Sequence, residues 1–228
     1  NESGDFNGDI VLVKPIEFGT LDRFHDQECQ YTVQLRGIVD GEPKRINRIV
    51  TSVTDVVDAY GEYEKYAAYA KLDTLRFIVS NTTEAGIVYD DTDKIELNPP
   101  KSYPGKLTKF LYERYRHFNG AADKGLVMLP VELIDDNGIH LKECVLKLAA
   151  LWNLEEGFTN WVNEACVFTS TLVDRIVTGF PRDEHAALCE RIGQQDNMMD
   201  TAEIFHLWVI QGHHEDELPF NKAGYNIV

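Results

Sequence analysis

Asp174 and Arg175 stand side by side in Ser170-Thr-Leu-Val-Asp-Arg-Ile-Val-Thr-Gly-Phe-Pro-Arg182, whose β-branched stretch reads as a strand over Ser170–Thr178. A buried strand rarely carries two neighbouring charges, because unpaired charge is costly to take out of water. Side chains alternate along a strand, so at most one of the two points into any given cleft. The plain alternative is an edge strand with both charges in solvent. Two further polar clusters lie where apolar runs end. Ser80-Asn-Thr-Thr-Glu-Ala-Gly86 offers hydroxyls, an amide and one carboxylate. Those groups suit a ribose or a nicotinamide carboxamide; a polar turn with Asn81 and Thr83 bonded to local backbone is the alternative. Glu132-Leu-Ile-Asp-Asp-Asn-Gly138 leads into a helix. Asn137-Gly138 would set an amide and a residue of free φ near a helix start, where oxyanions are favoured. The competing reading is an N-cap drawn from Asp135, Asp136 and Asn137.

Other clusters say less. His213-His214-Glu-Asp-Glu217 and Asp183-Glu-His185 invite a metal, yet neither has a partner at helical spacing, and solvated acidic loops account for both. No GxSxG, P-loop or Ser/His/Asp arrangement is present. The dinucleotide fingerprint GxGxxG is also missing. It belongs to the first strand–helix turn of a Rossmann sheet, and the chain reads as starting at the second strand.

The 228 residues are 43% apolar and 26% charged, ordinary globular material with a formal net charge of −16. That charge argues against nucleic acid and against an anionic membrane surface, both of which need a basic face. No apolar run approaches the roughly 20 residues of a membrane span. Cys29, Cys144, Cys166 and Cys189 form no CxxC pair, and no signal peptide is recognisable, so a reducing cytoplasm fits. The opening Asn1–Asp9 and the closing Tyr225-Asn-Ile-Val228, which reads as the start of a strand, look cut from a longer protein.

The elements that position these residues alternate. Ile10–Val13 reads as a buried parallel strand, and Thr20–Gln30 as a loop. Tyr31–Val39 and Arg45–Val53 read as strands joined through Asp40-Gly-Glu-Pro43. Thr54 caps an expected helix to about Lys71, with Val56, Tyr60, Tyr63, Ala67 and Ala70 on one face. A strand at Leu75–Ser80, a helix over 105–118 and a strand at Gly125–Val131 follow. An amphipathic helix through Leu141, Cys144, Val145, Leu148 and Trp152 comes next, then a helix over Glu155–Cys166. The strand at Ser170–Thr178, a helix at Arg182–Ile192 and a strand at Phe205–Gln211 complete the order. Strands separated by helices imply crossovers and a largely parallel sheet, with ligands outside the carboxyl ends of the strands.

Five segments carry a resemblance: Val11-Leu-Val-Lys-Pro-Ile-Glu17, Ser80–Gly86, Tyr103-Pro-Gly-Lys-Leu-Thr108, Glu132–Gly138 and Ser170–Arg182. Phe118–Gly125, Asp200-Thr-Ala-Glu203 and Trp208-Val-Ile-Gln-Gly212 add to it. Together they resemble the mannitol dehydrogenase family of polyol-specific long-chain dehydrogenases, in the branch that reduces tagaturonate to altronate. The resemblance implies an α/β fold: a Rossmann-like, mostly parallel sheet with flanking helices over residues 1–228, lacking its first strand and a helical C-terminal domain. It implies metal-free hydride transfer between NAD(H) and a sugar-acid substrate. Carried over by position, Ser80, Asn81, Thr82, Thr83 and Glu84 would border the cofactor. Lys14 stands where many relatives hold an acid for the adenosine ribose, which leaves NADP open beside NAD. Asn137 would face substrate, Asp174 would bond its hydroxyls or order the site, and Arg175 would join it or pair structurally. The family's proton-transferring lysine lies beyond Val228, so the fragment alone should be inactive. Fructuronate reductase or mannitol 2-dehydrogenase activity is the near rival, and a non-catalytic nucleotide-binding module the distant one.

Overall fold

The computed structural model describes residues 7–83, 85–212, 214, 218 and 220. They form two compact units, one built chiefly from Asn1–Val57 and Asp174–Leu207, the other from Asp58–Val173 and Trp208–Leu218. The strand expected at Tyr225–Val228 lies outside the described residues, as do Glu84, His213 and Glu215–Glu217.

The first unit opens with strand β1 (Ile10–Lys14) and a short helix α1 (Asp22–Asp26), where a loop was expected. Strands β2 (Tyr31–Val39) and β3 (Glu42–Val50) pair antiparallel, Val39 against Glu42. Asp40 and Gly41 between them both have positive φ, 54° and 81°, the two-residue turn whose twist matches a hairpin and which favours Asp-Gly. Strand β4 (Val53–Asp58) pairs with β1. The helix expected from Thr54 is therefore wrong over its first turns. Val53, Val56 and Val57 are buried, and β-branched side chains of that kind favour the pleated strand over a helix.

The expected strand at Ser170–Thr178 is divided. β8 (Thr171–Asp174) pairs with a late strand, β11 (Leu207–Ile210), whereas β9 (Val177–Gly179) joins another sheet. That sheet has the order β3-β2-β10-β9, with β10 (Asp200–Glu203) parallel to β2 and antiparallel to β9. Helix α6 (His185–Ile192) ends on Gly193 at φ 75°. Arg36 of β2 holds Glu184, just before that helix, through two hydrogen bonds of 3.0 and 3.1 Å.

The second unit follows the βαβ pattern of parallel strands joined by helical crossovers. Helix α2 (Tyr63–Tyr69) precedes β5 (Phe77–Ser80), and α3 (Tyr103–His117) crosses to β6 (Val127–Pro130). Helices α4 (Asn137–Leu151) and α5 (Glu156–Glu164) cross to β7 (Val167–Phe168). The sheet β5-β6-β7 is parallel throughout, with Phe77 against Val127 and Val127 against Val167. Its core is Leu126, just before the central strand, and Met128 within it, packed with Leu107, Leu111, Leu141, Val145 and Phe158 from the helices.

Two buried polar side chains fix the crossovers. Asp93 accepts from the backbone N–H groups of Lys94, Lys101 and Ser102 and from the Ser102 hydroxyl. Ser102 in turn caps α3 by accepting from Gly105 N at 2.9 Å. Arg114, only 1% exposed, donates to the carbonyls of Ala70, Leu72, Leu75 and Lys124. One rigid guanidinium thus satisfies carbonyls on both sides of β5.

Candidate cofactor site

Parallel strands expose their last carbonyls and the residues that follow them at one edge, and in the second unit the ends of β5 and β6 are tied together there. Ser80 closes β5 and is buried. Thr82 turns back beneath the loop, and a Cβ added at Gly86 would lie 1.9 Å from the Thr82 hydroxyl oxygen. Only glycine lets that turn close. Gly86 N donates to Thr83 O at 3.0 Å, and Thr83 has φ 69°, a conformation that costs a β-branched residue strain. The turn leaves Asn81 and Thr83 exposed, their side chains making no hydrogen bond among the described residues. Glu84 lies outside the described residues.

Glu132, two residues past β6, supports this loop from below. It is 2% exposed. Its carboxylate accepts from Ser80 Oγ at 3.1 Å, from Thr82 N at 3.0 Å and from Thr82 Oγ1 at 2.8 Å. Its signal in the sequence is weak, a single acid directly after the apolar run Leu126–Val131. The Tyr103 hydroxyl is buried close to the same group and to Ser80. Burial, with the Glu132 charge adding to it, pushes Tyr103 well above the ordinary tyrosine range.

Asn137 ties β6 to β8. It is fully buried, its Nδ2 donating toward Pro130 O, Glu132 O and Thr171 O at 3.1, 2.9 and 2.8 Å. Its Oδ1 accepts from Thr171 N at 2.9 Å. Asn137, expected to face substrate, has its amide engaged by backbone. Gly138 is required by packing instead of free φ, since a Cβ there would meet Thr169 O at 2.2 Å. Asp136, not Asn137, occupies the cap position of α4, in a left-handed conformation with no side-chain cap bond. A cavity of about 370 Å³ opens beside these residues, lined by Glu132–Asp136, Ser170–Leu172, Val209 and Gln211.

The remaining expected site residues belong to the first unit. Lys14 Nζ donates to the carbonyls of Ile16, Glu17 and Phe18 at 2.8, 3.4 and 3.4 Å, holding the turn after β1. Asp174 is exposed at the end of β8 and makes no hydrogen bond among the described residues. Arg175 is exposed too, and its guanidinium donates to Glu203 O at 3.2 and 3.0 Å. The Asp174–Arg175 pair is thus a pair of solvated charges, with Arg175 pairing structurally. Among the described residues no three His, Cys, Asp or Glu side chains gather as metal ligands.

A parallel sheet with helical crossovers and a loop of neutral polar groups at its carboxyl edge defines a Rossmann-type nucleotide-binding unit. The loop suits the nicotinamide end of a dinucleotide, because Asn81 and Thr83 present unspent neutral donors and acceptors over a rigid turn. The chain belongs to the mannitol dehydrogenase family: the model of the mannitol dehydrogenase Rossmann domain matches residues 2–222. Curated relatives include the altronate oxidoreductases of Phocaeicola vulgatus (44% identical), Yersinia enterocolitica (47%) and Bacillus subtilis (46%). They align with 100%, 100% and 98% of this chain but with 48%, 48% and 47% of their own lengths. The chain therefore spans about half the length of these relatives. Among solved structures, Pseudomonas fluorescens mannitol 2-dehydrogenase, in a ternary complex with NAD and D-mannitol, superposes with a TM-score of 0.70 at 21% identity. The match covers 84% of this chain and 40% of that one. A D-sorbitol dehydrogenase in substrate-free form gives 0.73 at 22% identity, over 95% and 46%. At such identities these two structures speak to the fold alone.

Proposed function

We propose that the protein containing this chain is a cytoplasmic NAD-dependent oxidoreductase that interconverts D-tagaturonate and D-altronate in hexuronate catabolism. The observation that carries this reading is identity of 44–47% to altronate oxidoreductases along nearly all of the chain. NAD, when bound, takes up or gives back the hydride. The chain's own residues shape the pocket for its nicotinamide end. Asn81 and Thr83 offer neutral hydrogen-bonding groups at the loop surface, and Ser80, Thr82 and Glu132 hold that loop in place. Lys14 supports NAD over NADP, because its ammonium is engaged by three carbonyls of its own turn.

Substrate contacts are a further part of the proposal. The exposed carboxylate of Asp174 is suited to sugar hydroxyls. The group that exchanges the alcohol proton is assigned to the half of the protein that relatives carry beyond this chain, together with a helical domain. No helix among the described residues is long and apolar enough to cross a membrane. The test is initial rates of the full-length protein with NADH and tagaturonate, fructuronate or fructose. A preference for tagaturonate is expected; a preference for fructose would move the assignment to a mannitol 2-dehydrogenase.

A further inference from the structure

We propose that Glu132 is a positioning residue whose buried charge favours the oxidised, cationic form of a nicotinamide coenzyme at the Ser80–Gly86 loop. The inference rests on the reading of that loop as the nicotinamide end of the site. Three observations lead to it. First, the carboxylate is almost wholly removed from solvent and both of its oxygens act as acceptors, from Ser80 Oγ and from the backbone and hydroxyl of Thr82. Second, none of the described Lys, Arg or His residues forms an ion pair with it. Its charge acts on the buried, neutral Tyr103 hydroxyl and meets no cation there. Third, tying two strand ends together does not need a charge. Asn137 makes the corresponding tie between β6 and β8 with a neutral amide.

A buried charge without a counter-charge is costly. A neutral amide would hold the loop at less cost, so the carboxylate suits a site that receives a cation. On the reading above, the arriving cation is the pyridinium ring of NAD⁺; the dihydronicotinamide of NADH carries no such charge. Glu132 then sets the ratio of the two affinities, whereas its hydrogen bonds set the shape of the loop for both.

The experiment is titration of the full-length protein with NAD⁺ and with NADH, read by calorimetry and by nicotinamide fluorescence. Glu132→Gln keeps an acceptor for both Thr82 donors and turns a nitrogen toward Ser80, whose hydroxyl can accept from it. It should weaken NAD⁺ relative to NADH by about fivefold or more, the size of a charge–charge term through a partly hydrated site. Ser80→Ala removes one donor but leaves the charge, and should leave the ratio as in the parent. If Glu132→Gln does not fold, Glu132→Met combined with Ser80→Ala and Thr82→Val removes the charge together with both hydroxyls that it serves and reads the same ratio. Both forms bound with the parental ratio would overturn the role of Glu132 while leaving the coenzyme reading intact. Binding of neither form by the parent would overturn the coenzyme reading itself.

Discussion

Replacing Asn137 separates a structural clamp from a substrate contact. In Asn137→Ala, Pro130 O keeps a bond from the Thr171 hydroxyl and Glu132 O keeps one from Ile134 N. The groups stranded are the N–H and C=O of Thr171, a buried residue. A buried polar group left without a partner costs about 1–3 kcal/mol. Two of them, with the small cavity left by the amide, amount to roughly 3 kcal/mol. For a chain of this size that corresponds to a fall of about 6–12 °C in melting temperature. Asn137→Asp should be worse than Ala, because it turns an anionic oxygen toward three carbonyls with no cation to compensate. Urea unfolding followed by circular dichroism orders the series as parent, Ala, Asp from most to least stable. A variant with the parental midpoint but impaired substrate affinity would refute the clamp and restore the substrate-facing role.

Further outcomes follow from single groups. Arg114→Met should destabilise the second unit by roughly 3–5 kcal/mol, since the carbonyls of Ala70, Leu75 and Lys124 lose their donor at once while Leu72 O keeps Leu75 N; an unchanged unfolding midpoint would contradict this. Gly86→Ala should abolish nicotinamide binding while sparing most of the circular dichroism signal, because the collision is confined to Thr82 of the loop. Burial pushes the Cys166 thiol up to about 11, so iodoacetamide at pH 8 should leave it unmodified in the folded protein and alkylate it in denaturant. The hydrogen bond and charge of Lys124 hold the exposed Asp73 carboxyl below its usual value. A depressed acid stabilises the fold above its unfolded value and loses that contribution as pH falls through the folded one. Asp73→Asn should therefore cost a small amount of stability at neutral pH and none in strong acid, as read from urea midpoints along a pH series.

Local patterns carried most of the second unit. Helices α3, α4 and α5 announce themselves through their sequence patterns, although α3 begins two residues before the expected 105, after the Ser102 cap. Patterns misled where two periods coincided. Val56, Tyr60, Tyr63, Ala67 and Ala70 fit one helical face, yet only the later part is helical. Asp58 ends the strand by accepting from Tyr60 N at 3.0 Å. The run Ser170–Thr178 looks continuous because nothing local reveals that Thr171 is recruited by Asn137 and that Ile176 N bonds the Glu203 side chain. The short strand β10 was invisible as a strand for a similar reason: its pairing with β2 spans more than 160 residues of sequence.

The polar loop at Ser80–Gly86 was legible from its composition, but what holds it was not. Glu132 is some fifty residues away and becomes a neighbour only because β5 and β6 run parallel in register, Ser80 against Pro130. Likewise, Asn137 read as a polar side chain near a helix start, and only the approach of Thr171 shows that its amide is consumed.

Hydride transfer between NAD(H) and tagaturonate is what we propose for the protein containing this chain. It is tested most directly by following nicotinamide absorbance while the full-length protein is mixed with NADH and D-tagaturonate. Loss of the reduced coenzyme matched mole for mole by altronate is the expected result. An unchanged NADH signal under conditions in which the coenzyme is bound would contradict it.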